Sequence, residues 1–264
     1  MNLTSSLARP EPELSMVIPC FNEEECLPLT VPALAEAFQA AGVRLEFVLV
    51  DNGSRDRTSA VIDTLIARGL PIVKAVVPVN QGQGLGVLTG LPPCRGRYIG
   101  WVCADGQVAP QDVVQVFLRL RGASVPSLAK VRRRFRPDGW LRKVVSIVYN
   151  GLMQVAFPGM PSIDVNGTPK IMHAEIARLM ELTSRDWFLD PETMLKAWYL
   201  GIPVIEIDSF GQLRNGGLSH VRAATVIEFL KNIFRYRFGG PWRSWQKRVD
   251  QSRLGRLSSS VPTT

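Results

Sequence analysis

Apolar residues along this chain alternate between two spacings, one suited to strands and one to helices. Leu14–Pro19 (LSMVIP) is a short apolar run closed by a proline, which predicts a buried strand. Glu24–Ala41 then carries apolar residues at helical spacing and stops at Gly42. Leu45–Val50 (LEFVLV) predicts a second strand ending in Asp51-Asn52-Gly53, and Asp56–Ala67 a second helix with Gly69 as its stop. Ile72–Val77 predicts a third strand, followed by the loop Asn80–Gly86 (NQGQGLG) and a short helix near Val87–Leu91. Tyr98–Cys103 (YIGWVC) predicts a fourth strand, and Pro110–Leu120 a helix with proline at its first position. Strand and helix thus alternate four times, the pattern of a parallel, doubly wound α/β sheet. In such sheets ligands bind beyond the carboxyl ends of the strands. Three of the four strands end in polar segments suited to a site: Pro19-Cys20-Phe21-Asn22-Glu23, Asp51-Asn52-Gly53-Ser54 and Asp105-Gly106-Gln107.

The second half is more mixed. Helices are expected over Trp140–Phe157, Ala174–Leu182, Pro191–Leu200 and Thr225–Arg237, the last basic and amphipathic. Short extended pieces are expected within Ile163–Met172 and a strand over Val204–Ile207. Residues 1–13 read as a flexible N-terminus, 14–224 as the main α/β domain, and 225–264 as a basic helix with a frayed Ser/Thr-rich tail. No signal peptide or membrane-spanning segment is expected, since the uncharged stretch Val144–Ile163 is interrupted by glycine, proline and polar residues. The four cysteines (Cys20, Cys26, Cys94, Cys103) show no metal-type spacing and read as reduced thiols.

Charge changes the picture once it is located. The 264 residues carry a formal net charge of +8. Lys130–Lys143 alone holds a net +6 and Arg214–Arg256 a net +8, so the rest of the chain is net −6. An acidic body with two basic segments points to an anionic partner: phosphate groups, nucleic acid or a lipid surface.

Several residues can carry chemistry. Asp105 and Gln107, at alternate positions past a strand end, offer two hard oxygen donors suited to Mg²⁺ or Mn²⁺, unless the segment is a simple turn. Asp51 can accept from a ribose or base edge, or cap the next helix through an Asx turn. NQGQGLG is not a dinucleotide fingerprint and no P-loop occurs, so redox and NTPase readings lose their support. No Ser-His-Asp set is visible, and His173 reads as structural. The run Lys130–Arg136 reads as a solvated loop or an anion site. Arg214-Asn-Gly-Gly-Leu-Ser-His220 is a glycine-bearing loop between cationic groups, able to fold over a diphosphate.

Read together and in order, MVIPCFNEEE, VLVDNGSRDRT, NQGQGLGVLTGL, CADGQVAP, RRRFRPDGWLRKVVSIVYN, DVNGTPKIM, WFLDPETMLKAWYLG and RNGGLSH carry a resemblance. The chain resembles the family-two glycosyltransferases of the GT-A fold, and among them the dolichyl-phosphate mannose synthase-like polyprenyl-phosphate glycosyltransferases. The resemblance implies that Pro19, Phe21, Glu23 and Asp51 hold the base and ribose of a nucleotide, and that Asp105 and Gln107 bind Mg²⁺ or Mn²⁺. It implies that Arg132, Arg142 and Ser146 bind an acceptor phosphate, and that Arg214 and His220 contact donor phosphates. Asp190 and Glu192 fall where the family keeps acidic residues near the acceptor. Three positions depart from the family pattern. Cys103 replaces the first metal-motif carboxylate, Asn52 replaces a frequent second aspartate, and His220 replaces a lysine.

The expected reaction is an inverting, metal-dependent transfer of a sugar from a nucleotide-sugar of the GDP-mannose or UDP-glucose type to a polyprenyl phosphate. A phosphate nucleophile is already anionic near neutral pH and needs no strong base. A hydroxyl acceptor would need one, and Asp190 is the candidate. The same reading expects peripheral attachment to an anionic membrane surface through the Trp140–Phe157 helix and the aromatic, basic segment Thr225–Arg248. Rival readings are a soluble glycosyltransferase acting on a small-molecule or glycan hydroxyl, and a non-catalytic nucleotide-sugar binder. Nucleic-acid binding finds no stacking or helix-insertion motif to support it.

Overall fold

The computed structural model describes residues 11–135, 140–160, 164–210 and 223–259. In chain order these form β1 (Leu14–Cys20), α1 (Leu27–Ala40), β2 (Leu45–Asn52), α2 (Thr58–Ala67), β3 (Ile72–Val77), α3 (Gln83–Gly90), β4 (Tyr98–Trp101) and α4 (Pro110–Arg121). They continue with β5 (Leu128–Phe135), α5 (Trp140–Ala156), β6 (Lys170–His173), α6 (Ala174–Met180), α7 (Leu189–Leu200), β7 (Val204–Phe210), α8 (Ala223–Phe238) and α9 (Gly240–Ser259). The strands form one sheet in the order β3-β2-β1-β4-β6-β5-β7. β1, β2, β3 and β4 are mutually parallel, β6 runs antiparallel to β4 and β5, and β7 is parallel to β5. The expected α/β, mostly parallel architecture is therefore present. The single reversed strand β6 matters for the site, because its entry lies where the neighbouring strands exit.

β1 and β2 are the continuous apolar runs and are buried along nearly their whole length, as strands covered on both faces must be. Met16, Ile18 and Cys20 join a core with Leu34, Phe38, Val116 and Phe117 from α1 and α4. The alternate residues Val17, Pro19 and Val50 meet α3. There the glycines, four residues apart, set the separation. A Cβ on Gly86 would come 2.7 Å from Pro19 Cβ, and one on Gly90 2.9 Å from Val50 Cγ2. The helix can lie that close to the sheet because both positions lack a side chain.

Three expectations need correction. Lys130–Arg136 does not begin as a solvated loop: residues 128–135 form β5, and Lys130 is fully buried. Its alternation (Leu128, Lys130 and Arg132 on one face, Ala129, Val131 and Arg133 on the other) is a strand period that the density of charge conceals. The fourth strand ends at Trp101 rather than Cys103, so the residues that follow are set by a turn. Beyond Gly255, where fraying was expected, α9 continues to Ser259.

The chain divides into two compact units, Met1–Lys143 with Met160–Ser219, and Val144–Gly159 with His220–Thr264. The first contains the sheet. The second buries Tyr149, Met153, Phe157, Ile233, Tyr236, Trp242 and Trp245. Trp242 stacks on Trp245 at 5.3 Å and meets Phe157 edge-on at 6.5 Å. Among the described residues no helix is long and apolar enough to cross a membrane.

The α3 glycines give a direct test. Gly90→Ala places a methyl group against Val17 and Val50 and is expected to lower stability by about 1–3 kcal/mol, the usual cost of overpacking. Urea unfolding followed by circular dichroism measures it; an unchanged midpoint would show that α3 can back away from the sheet.

Candidate active site

The strand order reverses between β1 and β4: β2 and β3 lie on one side of β1, and β4 on the other. A crevice opens at such a switch point. β1, β2, β4, β5 and β7 all exit at this edge of the sheet, and the reversed β6 enters there. In register, Val17 lies beside Trp101, Trp101 beside Lys170, and Lys170 beside Lys130. Segments far apart in sequence therefore converge at one edge.

The first wall is made by the loops after β1 and β2, which latch to one another. Asn22 N–H donates to Ser54 Oγ (3.1 Å), and Arg55 N–H donates to Asn22 Oδ1 (2.8 Å). Glu23 N–H donates to Thr58 Oγ1 (2.8 Å). Asn22 takes a left-handed φ of 55°, which asparagine tolerates better than most residues. Glu23 and Asp51 are both buried here. Asp51 Oδ1 accepts from Ser54 N–H (3.0 Å), which is the Asx turn. Its Oδ2 has no hydrogen-bond partner among the described residues, so the turn leaves one carboxylate oxygen available. Pro19 and Phe21 sit on the same rim, half-buried. Asn52 ties this wall to α3, donating from Nδ2 to Gly82 O (2.9 Å).

The second wall follows β4. Asp105 Oδ1 accepts from the backbone N–H of Gln107 (3.1 Å), and Gly106 between them has φ 68°. A turn, rather than strand alternation, brings the two residues together. Cys103 is held between Gln83 Nε2 (3.7 Å) and Thr168 Oγ1 (3.6 Å). Burial, and then the nearby Asp105, push its thiol up to about 12, so it is neutral. Among the described residues no cluster of three or more His, Cys, Asp or Glu could hold a metal ion. The oxygen donors Asp105 and Gln107 nevertheless fit a hard divalent cation whose remaining ligands come from a bound diphosphate or water.

The third wall is the segment 164–169, which leads into β6. Lys170 is fully buried, and Nζ donates to Val165 O (3.0 Å), Gly167 O (2.9 Å) and Asp190 Oδ1 (2.7 Å). Lys130 donates to Asp164 O (2.7 Å) and pairs with Glu206 (3.0 Å). Arg133 forks onto the Asp164 carboxylate at 2.9 and 2.7 Å. Burial alone would raise the Asp164 pKa, but the hydrogen bonds and charge of Arg133 outweigh it and hold the carboxyl well below its usual range. Burial pushes the Lys170 ammonium down, to about 8, against the pull of Asp190.

These pairings reassign several residues. Asp190 also accepts from Trp101 Nε1 (3.0 Å) and is almost wholly buried. It anchors the third wall, with Oδ1 shared between the Trp101 indole and the Lys170 ammonium. Glu192 accepts from Thr183 N–H (3.1 Å) and Ser184 N–H (2.7 Å) and pairs with Lys196 (2.7 Å), bracing the segment that lies against Gly82 and Gly84. Arg132 is already paired with Asp208 (2.6 Å). Arg142 and Ser146 fall on α5, where their side chains are not described, and Arg214 and His220 lie outside the described residues. His173 pairs with Tyr98 at the opposite end of β4, with their rings 4.6 Å apart, in keeping with a structural role. Sequence reasoning missed Lys130, Arg133, Asp164 and Lys170 as one network. The strand-like alternation of KVRRRF was the available signal.

Asp164→Asn removes the charge that faces the partly buried Arg133 guanidinium and is expected to cost about 1–3 kcal/mol. The depressed carboxyl also sets a pH dependence. Below about pH 4 the unfolded chain takes up a proton that the folded chain refuses, so this part of the stability is present above that pH and lost as pH falls. Urea midpoints between pH 3 and 6 should fall more steeply for the wild type than for Asp164→Asn.

Residues 15–214 match the family described as Glycosyl transferase family 2. A dodecaprenyl-phosphate galacturonate synthase of Rhizobium johnstonii is 29% identical over 191 residues, covering 72% of this chain and 55% of that protein. An undecaprenyl-phosphate 4-deoxy-4-formamido-L-arabinose transferase of Aeromonas hydrophila is 30% identical over 145 residues, covering 54% of this chain and 44% of the relative. The chain thus spans about half the length of these curated relatives. Among solved structures, a glucosyl-3-phosphoglycerate synthase from Mycobacterium tuberculosis, in complex with Mn²⁺, UDP-glucose and phosphoglyceric acid, superposes with a TM-score of 0.68 at 18% identity. That match covers 87% of this chain and 81% of the other, and shows a shared fold. With the family match spanning all three walls of the crevice, this chain belongs to glycosyl transferase family 2.

Proposed function

We propose that this chain transfers a sugar from a nucleotide-sugar to a polyprenyl phosphate, with inversion at the anomeric carbon. The observation that carries the proposal is the convergence of Glu23, Asp51, Asp105 and Gln107 at the β1/β4 switch point. The polyprenyl-phosphate transferases among its relatives support the choice of acceptor. In this reading Asp51 accepts from the ribose, and Pro19, Phe21 and Glu23 line the base and ribose site. Asp105 and Gln107 would hold Mg²⁺ or Mn²⁺. That ion, when bound, offsets charge on the departing nucleoside diphosphate. Arg214 and His220 are proposed as donor-phosphate contacts, and Arg132, Arg142 and Ser146 as acceptor-phosphate contacts. Arg132 would keep Asp208 as its partner and present the remainder of its guanidinium. The acceptor phosphate oxygen attacks the anomeric carbon as the bond to the diphosphate breaks, and no protein base is required.

Attachment at an anionic membrane surface is part of the same proposal. In the second unit, α8 exposes Leu230, Phe234 and Phe238 at a spacing of four residues. On the helical wheel this stripe is flanked by Lys231 and Arg235 on one side and Arg237 on the other. α5 exposes Val148, Leu152 and Val155 beside its buried face of Tyr149 and Met153. An apolar stripe edged by cations suits a helix lying in the interface of an anionic bilayer.

A radiolabelled sugar assay tests the chemistry. Product should form with a short polyprenyl phosphate and not with the dephosphorylated alcohol or a glycan; transfer to a hydroxyl at equal rate would overturn the acceptor assignment. Asp105→Ala is expected to lower turnover roughly 100-fold or more, the scale for losing a group that stabilises transition-state charge. Phe234→Ser with Phe238→Ser should weaken binding to vesicles containing phosphatidylglycerol about tenfold or more in sedimentation. Unchanged sedimentation would remove α8 from the membrane contact.

A further inference from the structure

The third wall is more rigid than its sequence suggests. Between Asp164 and Pro169, the carbonyls of Asp164, Val165 and Gly167 accept from the ammonium groups of Lys130 and Lys170, both fully buried. The Asp164 carboxylate is forked by Arg133 and also accepts that residue's own N–H (3.1 Å). Gly167 N–H donates back to Asp164 O (3.1 Å), closing a turn with Val165 and Asn166 at its centre. A Cβ on Gly167 would collide with Val131 O, so the turn is pressed against β5. At the other end of the segment, Thr168 Oγ1 lies 3.6 Å from Cys103 Sγ, two residues before Asp105.

Within this braced segment every residue from Asp164 to Pro169 is buried except Asn166, which is half-buried. Asn166 makes no hydrogen bond among the described residues. Its immediate neighbours are fixed by two buried lysines and the partly buried Arg133, yet the one amide at the centre of the turn is left unused. Polar side chains on loops held by a rigid supporting shell are the usual means of recognition.

We propose that Asn166 is a specificity-determining residue that hydrogen-bonds hydroxyls of the transferred sugar; this rests on the sugar-transfer reading above. A glycosyl group is bonded directly to the diphosphate, and Thr168, two residues on from Asn166, meets Cys103, two residues before Asp105, so Asn166 lies on the segment that borders the Asp105 turn. An uncharged amide contributes little to holding phosphates, but it carries both a donor and an acceptor, the pair needed to read adjacent hydroxyls. Cys103 fits the same role. Its thiol lies 3.6 Å from Thr168 Oγ1 and so joins the segment that carries Asn166 to the strand end before Asp105.

Calorimetric titration of the full chain with Mn²⁺ and UDP, UDP-glucose, UDP-galactose, GDP and GDP-mannose separates the possibilities. For whichever nucleotide-sugar binds the wild type most tightly, Asn166→Ala is expected to lose about tenfold in affinity, while affinity for the matching free diphosphate changes less than twofold. Asn166→Ser, which keeps a smaller donor and acceptor, should recover part of the loss. An equal loss for sugar-bearing and free diphosphate, or no loss for either, overturns the assignment of Asn166 alone. If no nucleotide-sugar binds the wild type, the sugar-transfer reading falls and takes this assignment with it. Melting temperatures of the two variants, expected within about 2 °C of the wild type for a half-exposed turn position, exclude a folding defect as the cause.

Discussion

A lysine ammonium removed from water must find acceptors for three protons, or the fold bears the cost of an unsolvated charge. Lys170 finds them in two backbone carbonyls of the segment before it and in Asp190. This arrangement decides much else. The carbonyls are captured because β6 runs against its neighbours, so the segment preceding it lies over the strand exits. Asp190 is captured in turn, together with the Trp101 indole at the end of β4. One ammonium therefore joins the central sheet, the segment 164–169 and α7. The two cations on β5 repeat the arrangement one strand farther on, Lys130 on a carbonyl and Arg133 on the Asp164 carboxylate. Replacing any of these charges by an apolar residue would remove the acceptors' partner as well as the charge, which is why a buried polar network must be complete to be tolerated.

The same pairings revise the meaning of the chain's charge. The segment Lys130–Lys143 carries a net +6, but its first three cations each face a carboxylate: Lys130 faces Glu206, Arg132 faces Asp208 and Arg133 faces Asp164. The charge on Lys130 and Arg133 is taken up within the fold, while Arg132 stays partly exposed. On α8, by contrast, the described cations Lys231, Arg235 and Arg237 are exposed beside apolar side chains. Charge in the first segment organises a wall of the crevice, and charge in the second is displayed.

What was legible from sequence follows from locality. β1–β4 and α1–α4 were readable because each carries its own period and its own punctuation, such as the proline opening α4. The placement of Asp51, Asp105 and Gln107 at strand exits was readable because each follows an apolar run of strand length. β5 was not, because four cations in eight residues resemble a solvated run until the strand's partners Glu206, Asp208 and Asp164 are known, and those lie about 30 to 76 residues away. The partners of Asp190 were hidden for the same reason. An acidic residue at a helix start looks available to a substrate, and only the fold reveals that a tryptophan and a lysine reach it first. Family resemblance ordered these segments and was silent on which of their acids have partners within the fold.

The latch between the loops after β1 and β2 has a kinetic consequence. Asn22 both donates to Ser54 and accepts from Arg55, while Glu23 and Glu24 engage Thr58 and Asp56 across the same gap. Because the bonds are reciprocal, neither loop can swing out without releasing the other. The two behave as a single flap whose opening breaks at least four hydrogen bonds together. The backbone amides of residues 22–24 and 55 are therefore expected to exchange with solvent at one common rate instead of fraying independently.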